Sequence, residues 1–403
     1  MPPQRVRRVL TPIAEFLRDE AAGGVVLLAA AGSALVWVNV SVDSYRDVWE
    51  QSLRIGIGNF SISEDLRHWV NDGLMAVFFF VVGLEIKREL VRGELNNPKT
   101  AGLPVIAAVG GMVVPAAIYL AINAGGAGSD GWGIPMATDI AFAVGILTVL
   151  RSRCPVGLKL FLLTLAIVDD IGAILVIAFF YSHGISFAWM AGAVAVVAVV
   201  LLMPRLRIDS PLAYVLPALV LWVCVFESGM HATIAGVALG LLTPAGQPGD
   251  RPTIEALEHW LHPVSSFAVI PLFALANAGV VISISALGDV FTSRIGLGII
   301  LGLVVGKTLG ITGASLLALR LKVGRLPAGV HKAQVLGAGA LGGIGFTVSI
   351  FVADLSFTGA RLDEAKLGIL TASVFAACTG ALFLVFRGPR RRLSRRRVRD
   401  AAA

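Results

Sequence analysis

The chain has 403 residues, of which 56% are hydrophobic and only 15% charged, against roughly 25% charged in ordinary soluble domains. That balance excludes a water-soluble globular enzyme or binding module as the main body and makes lipid the solvent this fold must answer to. Lysine and arginine (33) outnumber aspartate and glutamate (26), for a net charge of +7. The excess lies in flanks and in the tail Arg390 to Arg399, where topology and anionic lipid account for it without nucleic acid.

A spanning helix needs about 20 apolar residues to cross about 30 Å of hydrocarbon. In chain order, the runs that approach or exceed this are Gly23 to Val40, Asn71 to Ile86, Ala101 to Ile122, Ser129 to Leu150, Leu158 to Tyr181 and Met190 to Met203. Pro211 to Phe226, His231 to Thr243, Pro263 to Ile282, Ile295 to Leu319, Ala333 to Leu355 and Leu367 to Phe386 complete the series. They predict an all-α integral membrane protein of about twelve transmembrane helices, one polytopic domain over 1–387 followed by a basic tail over 388–403. The basic start resembles a signal peptide, but Glu15, Asp19 and Glu20 crowd its flank and no clean cleavage site follows, so the segment is read as the first helix.

Orientation follows from the flanks. Arg5, Arg7, Arg8, Arg18, Lys87, Arg88, Arg92, Lys99, Arg151, Arg153, Lys159, Arg205, Arg207, Arg251, Arg320, Lys322, Arg325, Lys332 and the tail from Arg387 fall on one side. Arg46, Arg54, Arg67, Arg294, Arg361 and Lys366 fall on the other. The positive-inside rule makes the first side, with both termini, cytoplasmic, and an even number of spans agrees. Cys154, Cys224 and Cys378 sit in or beside separate apolar segments without metal-type spacing, so they read as packing residues rather than a disulfide framework or zinc site.

Two loops are long, Ser41 to Val70 and Pro244 to His262. In the first, Leu53, Ile55 and Ile57 alternate with Arg54, Gly56 and Gly58, a strand period, and either Tyr45 to Glu50 or Phe60 to Ser63 can supply the partner of a small extracytoplasmic β-hairpin. Two spans are also unlike the rest. Ser129 to Leu150 carries Gly131, Gly133, Pro135, Thr138 and Asp139, and Ala333 to Leu355 carries Gly337, Gly339, Gly342, Gly343 and Gly345. Such residues weaken a continuous helix, and interrupted spans in corresponding places point to a transporter site.

The strongest chemical signal is Asp169 and Asp170, in LAIVDDIGAILVIAFF at the centre of an otherwise uncharged run. Each carboxylate there costs roughly 2.5 kcal/mol or more on insertion scales, so retention for packing alone is the weaker reading. Oxygen ligands suit a small hard cation, and burial favours the neutral, protonated form of a carboxyl group. Lys307, near the middle of its span, needs a carboxylate partner, of which Asp169 or Asp170 is the nearest in kind; a purely structural salt bridge is its plain alternative. Asp139, beside Thr138 at a helix interruption, either offsets the partial charge of exposed amides or binds an ion directly. Asp72, Glu85, Lys87, Arg88, Glu89, His231, Glu255, Glu258, His259 and His262 lie near span ends, where each singly reads as a solvated flank.

Gly337, Gly339 and Gly342 spell GxGxxG without a strand before them, and Gly306, Lys307 and Thr308 resemble a P-loop whose required glycine is Leu301. Both fail their context tests. An intramembrane protease needs GxGD and a prenyl transferase a DDxxD-like cluster, whereas Asp170 is followed by IGAIL. A passive cation channel is disfavoured by a lysine at mid-span.

The strings NDGLMAVFFFVVGLEIKREL, IPMATDIAFAVGILTVL, TLAIVDDIGAILVIAFFY, SGMHATIAGVALGLLTP, PLFALANAGV, GKTLGI and LGGIGFTVSIFVADLSF closely resemble the NhaA-type sodium/proton antiporters over nearly the whole chain. The combination of ATDIAF, VDDIGA and GKTLGI is specific, and the long arginine tail is the one departure. The resemblance implies an inverted-repeat fold with two interrupted helices crossing at mid-membrane. It implies a secondary transporter without cofactor that exports Na+, and Li+, in exchange for H+ from a bacterial inner membrane, activated at alkaline pH. Asp169 and Asp170 would take Na+ or protons in alternation, Lys307 would neutralise Asp169 in the sodium-free state, and Asp139 and Thr138 would be the polar pair at the crossing. Glu85, Arg88, Glu89, Glu258, His259 and His262 would form a cytoplasmic pH-sensing cluster, with His231 a further residue in the pH response and Asp72 an acid near the extracytoplasmic side. A homodimer through the hairpin, Tyr45 to Asn59, is implied as well.

Overall fold

In hydrocarbon every backbone amide must be satisfied within the segment, which leaves helices as the building unit of this chain. The computed structural model describes residues 4–387 except 58–59, 151–153, 183, 207, 209–210 and 245–252. The arginine tail, the hairpin turn Gly58 and Asn59, and the basic-flank residues Arg151, Arg153, Arg207 and Arg251 lie outside the described residues.

The chain begins with α1 (Gln4–Val40) and the short α2 (Val42–Trp49), then a hairpin of β1 (Ser52–Ile57) and β2 (Phe60–Asp65). α3 (Leu66–His68) runs through a wide π turn, Trp69–Leu74, into α4 (Met75–Val91), followed by α5 (Pro98–Asn123). A 3-10 segment, Ser129–Met136, precedes α6 (Ile140–Val149), and then come α7 (Val156–Phe180), α8 (Phe187–Leu202), α9 (Pro211–Glu227) and α10 (Thr233–Leu242). α11 (Thr253–Val264) continues through a π turn, Ser265–Val269, into α12 (Ile270–Asn277). After α13 (Ile284–Thr292), α14 (Arg294–Ile300) passes through a third π turn, Leu301–Gly306, into α15 (Lys307–Arg320). α16 (Lys332–Leu341), α17 (Phe346–Ser356) and α18 (Ala360–Arg387) close the chain.

Among the described residues, seven helical segments are long and apolar enough to cross a membrane, and α16 with α17, bent by 46°, makes an eighth. α8, α9 and α10 are shorter apolar helices. Outward-facing Val25, Leu28, Phe179, Phe187, Leu212 and Phe386 give an apolar exterior of the kind a bilayer covers. Cys378 is on this exterior rather than in the packing where the sequence put it, while Cys154 and Cys224 are buried.

Three expectations need correction. Tyr45 to Glu50 is helical, so the hairpin is β1 with β2, antiparallel with Ile55 opposite Ile62. Tyr45 packs inward, its phenol 2.8 and 2.7 Å from the carbonyls of Leu275 and Ala276, and burial pushes that phenol up to about 12. The loop to His262 ends at Thr253: α11 carries Glu255, Glu258, His259 and His262 on a helix. Pro263 looked like a helix start, yet it sits inside one, and the π turn that follows accommodates the hydrogen bond proline cannot donate. α13 was not foreseen.

The site rests on two close helix crossings. At Gly236 of α10 an added Cβ would stand 2.1 Å from the Ala76 carbonyl oxygen of α4. At Gly310 of α15 it would stand 2.2 Å from the Gly110 oxygen of α5. Small residues let backbones approach this closely, which is how helices associate when lipid offers no hydrophobic drive between them.

Candidate functional site: a buried carboxylate and lysine centre

The two spans expected to be interrupted are interrupted, and they meet at their breaks. Between the 3-10 segment and α6 the chain is extended at Ala137, Thr138 and Asp139; between α16 and α17 it is non-helical through Gly342 to Gly345. The Asp139 amide donates to the Ile344 carbonyl at 2.6 Å. The Asp139 carboxylate caps both half-helices: one oxygen accepts from the Phe142 amide of α6 at 3.2 Å, the other from the Thr347 amide and hydroxyl of α17 at 3.1 and 2.6 Å. A carboxylate facing two helix N-termini offsets their positive ends.

Thr138 points into the centre. Its hydroxyl oxygen is 2.6 Å from Asp169 Oδ2 and 2.8 Å from the Gly342 carbonyl, its single proton serving one of them at a time. Lys307 Nζ donates to the same hydroxyl at 2.9 Å and forms an ion pair with Asp169 Oδ2. Asp169 and Lys307 are both 0% exposed and Asp170 6%. Lys307 is the first residue after the π turn Leu301–Gly306, and such turns re-aim the residues that follow them.

The centre is not fully satisfied. Asp169 Oδ1 is buried without a hydrogen-bond partner. Among the described residues no hydrogen bond reaches the Asp170 carboxyl, whose electrostatic neighbours are Asp169, Glu85, Asp139 and Lys307. Buried polar groups are normally bonded, and an exception calls for an explanation in terms of water, ion or function. Two carboxylates with an open oxygen, plus a hydroxyl, form a donor set of the hard-oxygen type that small cations take.

A second cluster gathers where the last turns of α4 meet α11. Arg88 pairs with Glu258 through Nη1, while its Nη2 lies 3.8 Å from Glu85 and 3.6 Å from Glu89. Arg92 meets Glu255 at 2.6 Å, and His262 lies within electrostatic reach of Glu258. His259 is exposed. Glu85 also acts electrostatically on Asp170, so its charge is felt in both groups. His231 stands apart, near the hairpin end of the bundle, with Nε2 2.8 Å from the Tyr181 carbonyl. Asp72 is at that end too, in reach of His68 and Asp354.

Several participants escaped sequence reading. Thr347 and the Gly342 carbonyl carry no charge and so gave no signal in an apolar run. Asn71 and Asn277, buried and joined to each other by a 2.7 Å hydrogen bond, are likewise uncharged. Asp354, an acid that sequence reading did not single out, accepts a hydrogen bond from Asn71 at 2.7 Å.

The chain matches the model of the family described as Na+/H+ antiporter 1 over residues 14–384. It is 45% identical to Na(+)/H(+) antiporter NhaA 2 of Clostridium beijerinckii over 384 residues, 94% of this chain and 95% of that protein. It is 46% identical to Na(+)/H(+) antiporter NhaA 1 of Klebsiella pneumoniae, covering 92% and 95% of the two chains, and 45% identical to Na(+)/H(+) antiporter NhaA of Escherichia coli O139:H28, covering 92% and 96%. A match of this extent, taken with the buried carboxylate and lysine centre at the crossed helix breaks, places the chain in the NhaA-type sodium/proton antiporter family.

Proposed function

We propose that the chain is a secondary transporter that exports Na+ in exchange for H+ across a bacterial inner membrane, with Asp169 and Asp170 as the exchange site. The observation that carries this reading is the Asp169–Lys307 ion pair, at zero exposure, with an unbonded Asp169 oxygen and a second carboxyl beside it. In the sodium-free state Lys307 neutralises Asp169. An arriving Na+ takes the Asp170 carboxylate and the open Asp169 oxygen, and the displaced Lys307 leaves Asp169 Oδ2 and Thr138 to complete the oxygen shell. Two protons leave as one Na+ binds, one from the Asp170 carboxyl and one from the displaced Lys307 ammonium, because Asp169 is already ionised in its pair. Each cycle then moves one net positive charge inward, worth about 2.3 kcal/mol per 100 mV of inside-negative potential.

Li+, another small hard cation, suits the same donors. Asp139 holds the two half-helix ends while Thr138 links them to the ion, and one helix group moves against another to give alternating access. The basic flanks make the Arg88 end cytoplasmic and the hairpin end extracytoplasmic, with both termini inside and about twelve crossings in all. Glu85, Arg88, Glu89, Glu258, His259 and His262 form the pH-responsive group, with His231 acting from the other end. Leu53 and Ile55, both exposed on β1, support a homodimer through the hairpin; deleting 52–65 is expected to give monomers by light scattering, and unchanged dimers would move the interface elsewhere.

The direct test is Na+-driven collapse of a pH gradient in vesicles containing only this protein, repeated with Li+. Exchange is expected in the parent and is expected to be lost in Asp170→Asn at equal expression, because asparagine cannot carry the exchanged charge. Sodium movement indifferent to the proton gradient would mean a passive path, and near-normal exchange by Asp170→Asn would remove that residue from the mechanism.

A further inference from the structure

α17 is a buried helix with a functional contact at each end. At its start Thr347 holds Asp139 at the crossing. About 10 Å further along, at about 1.5 Å per residue, Asp354 Oδ2 accepts from Asn71 Nδ2 at 2.7 Å. Asn71 belongs to the π turn that feeds α4, and its own amide oxygen accepts from Asn277 Nδ2, at the end of α12, at 2.7 Å. One carboxylate and two amides therefore tie α17, α12 and the start of α4 at the hairpin end of the bundle. Phe79, Ile174, Ile177, Thr233, Ile234 and Val237 surround a narrow crevice, with Ile174 one turn beyond Asp170 on α7 and Phe79 eight residues beyond Asn71.

Lys366, near the start of α18, gives the knot a second possible state. It is buried at 3% exposure, and among the described residues no hydrogen bond or close ion pair reaches its ammonium. The acids in electrostatic reach of it are Asp354 and Asp363, and Arg67 is the facing cation. A buried ammonium left unpaired is costly. Of the two acids, Asp354 acts on it the more strongly, and Asp354 is the one held by Asn71.

We propose that Asp354 is the switching half of a latch on the hairpin-side access path: it bonds Asn71 while the exchange centre is closed to that side and transfers to Lys366 when the centre opens there. The inference rests on the antiport reading for the cause of opening. α17 links the two events, because Na+ displacing Lys307 from Thr138 alters the Thr138–Gly342 and Asp139–Thr347 contacts at the start of the helix whose far end carries Asp354. Losing Asn71 as partner then costs little, since a stronger, charge-assisted partner is waiting.

The test uses the full chain with Cys154, Cys224 and Cys378 replaced by serine and Ile177→Cys as reporter in the crevice. A membrane-impermeant thiol reagent is applied from the hairpin side of vesicles of defined orientation, without and with Na+. Asp354→Ala should label about tenfold faster than the parent without Na+, roughly what one charge-assisted hydrogen bond contributes to an equilibrium. Lys366→Met should label like the parent without Na+ and lose most of the Na+-stimulated increase. Asp354→Asn, which keeps an acceptor for Asn71 but cannot pair with Lys366, should behave as Lys366→Met, and it decides the matter if the alanine variant does not fold. A sodium-free rate unchanged in folded Asp354→Ala, or equal acceleration in all three variants, overturns the latch. Na+-driven proton release by the parent in the same vesicles reports the antiport reading separately, so the sodium-free comparison stands whichever way that result falls.

Discussion

At Asp169, two oxygens of one carboxylate have different tasks. Oδ2 is held by Lys307 and Thr138, while Oδ1 faces the interior unbonded. Removing Lys307 therefore leaves a fully buried charge with only a hydroxyl against it. Lys307→Ala is expected to lose roughly 3–5 kcal/mol, the usual cost of breaking a buried pair by deleting one partner, seen as a lower melting temperature in detergent. The loss should be largest at alkaline pH and shrink as pH falls, because protonating Asp169 removes the uncompensated charge. Identical melting of parent and variant across the pH series would mean that the pair contributes nothing to the sodium-free state. The acids and the lysine were readable in the sequence because a charge amid apolar residues is conspicuous. Their pairing was not legible in the residues themselves, which left Asp169 and Asp170 both open to Lys307; only the family resemblance named Asp169.

The helical elements owe their placement to features of different visibility. Apolar runs long enough to span announced α1, α5, α7 and α18, and glycine and proline announced both breaks, because these residues act locally on the backbone. The three π turns were invisible: Ser265–Val269 and Leu301–Gly306 are apolar and small residues, Trp69–Leu74 adds Asn71 and Asp72 without any helix-breaking residue but Gly73, and their widening answers to tertiary packing. The start of α11 was missed for a related reason, with Pro263 tolerated inside a helix by the turn after it. Close crossings were half-legible. A glycine in a helix can be a hinge, a cap or a contact, and only the structure shows Gly236 pressed on the Ala76 carbonyl oxygen. Gly236→Val should push α10 off α4 and cost about 1–3 kcal/mol or more through overpacking, measured as a drop in detergent melting temperature. Gly145, with open space around it, is the control: Gly145→Ala should be neutral in the same assay. Equal effects at the two positions would show that helix propensity, and not the crossing, governs both.

For the whole molecule the central question is how pH reaches the proposed exchange centre, whose two acids are 0% and 6% exposed, and two routes have opposite signatures. The first is competition. On the proposed site protons and Na+ would claim the same carboxylates, so Na+ binding should weaken as pH falls, and saturating Na+ should carry the activity profile to lower pH. The second runs through the Arg88 group, which joins α4 to α11 by way of Glu258 and reaches Asp170 through Glu85. Breaking that tie changes how α4 is held and how much negative charge faces Asp170 from the α4–α11 end, and neither effect depends on Na+ occupancy. Glu258→Cys and Glu85→Cys should therefore displace the pH midpoint even when Na+ saturates. Glu85→Cys should act the more directly, because it removes a like charge from the surroundings of Asp170 and so eases deprotonation of that carboxyl, moving the profile towards lower pH. Activity profiles of the parent and both variants at limiting and saturating Na+ decide between the routes. Competition is expected to produce the larger displacement in the parent, and the variants a smaller one that persists at saturation. Saturating profiles that coincide in all three proteins would reduce the Arg88 group to a structural tie between helices and leave competition at Asp169 and Asp170 as the whole of the pH response.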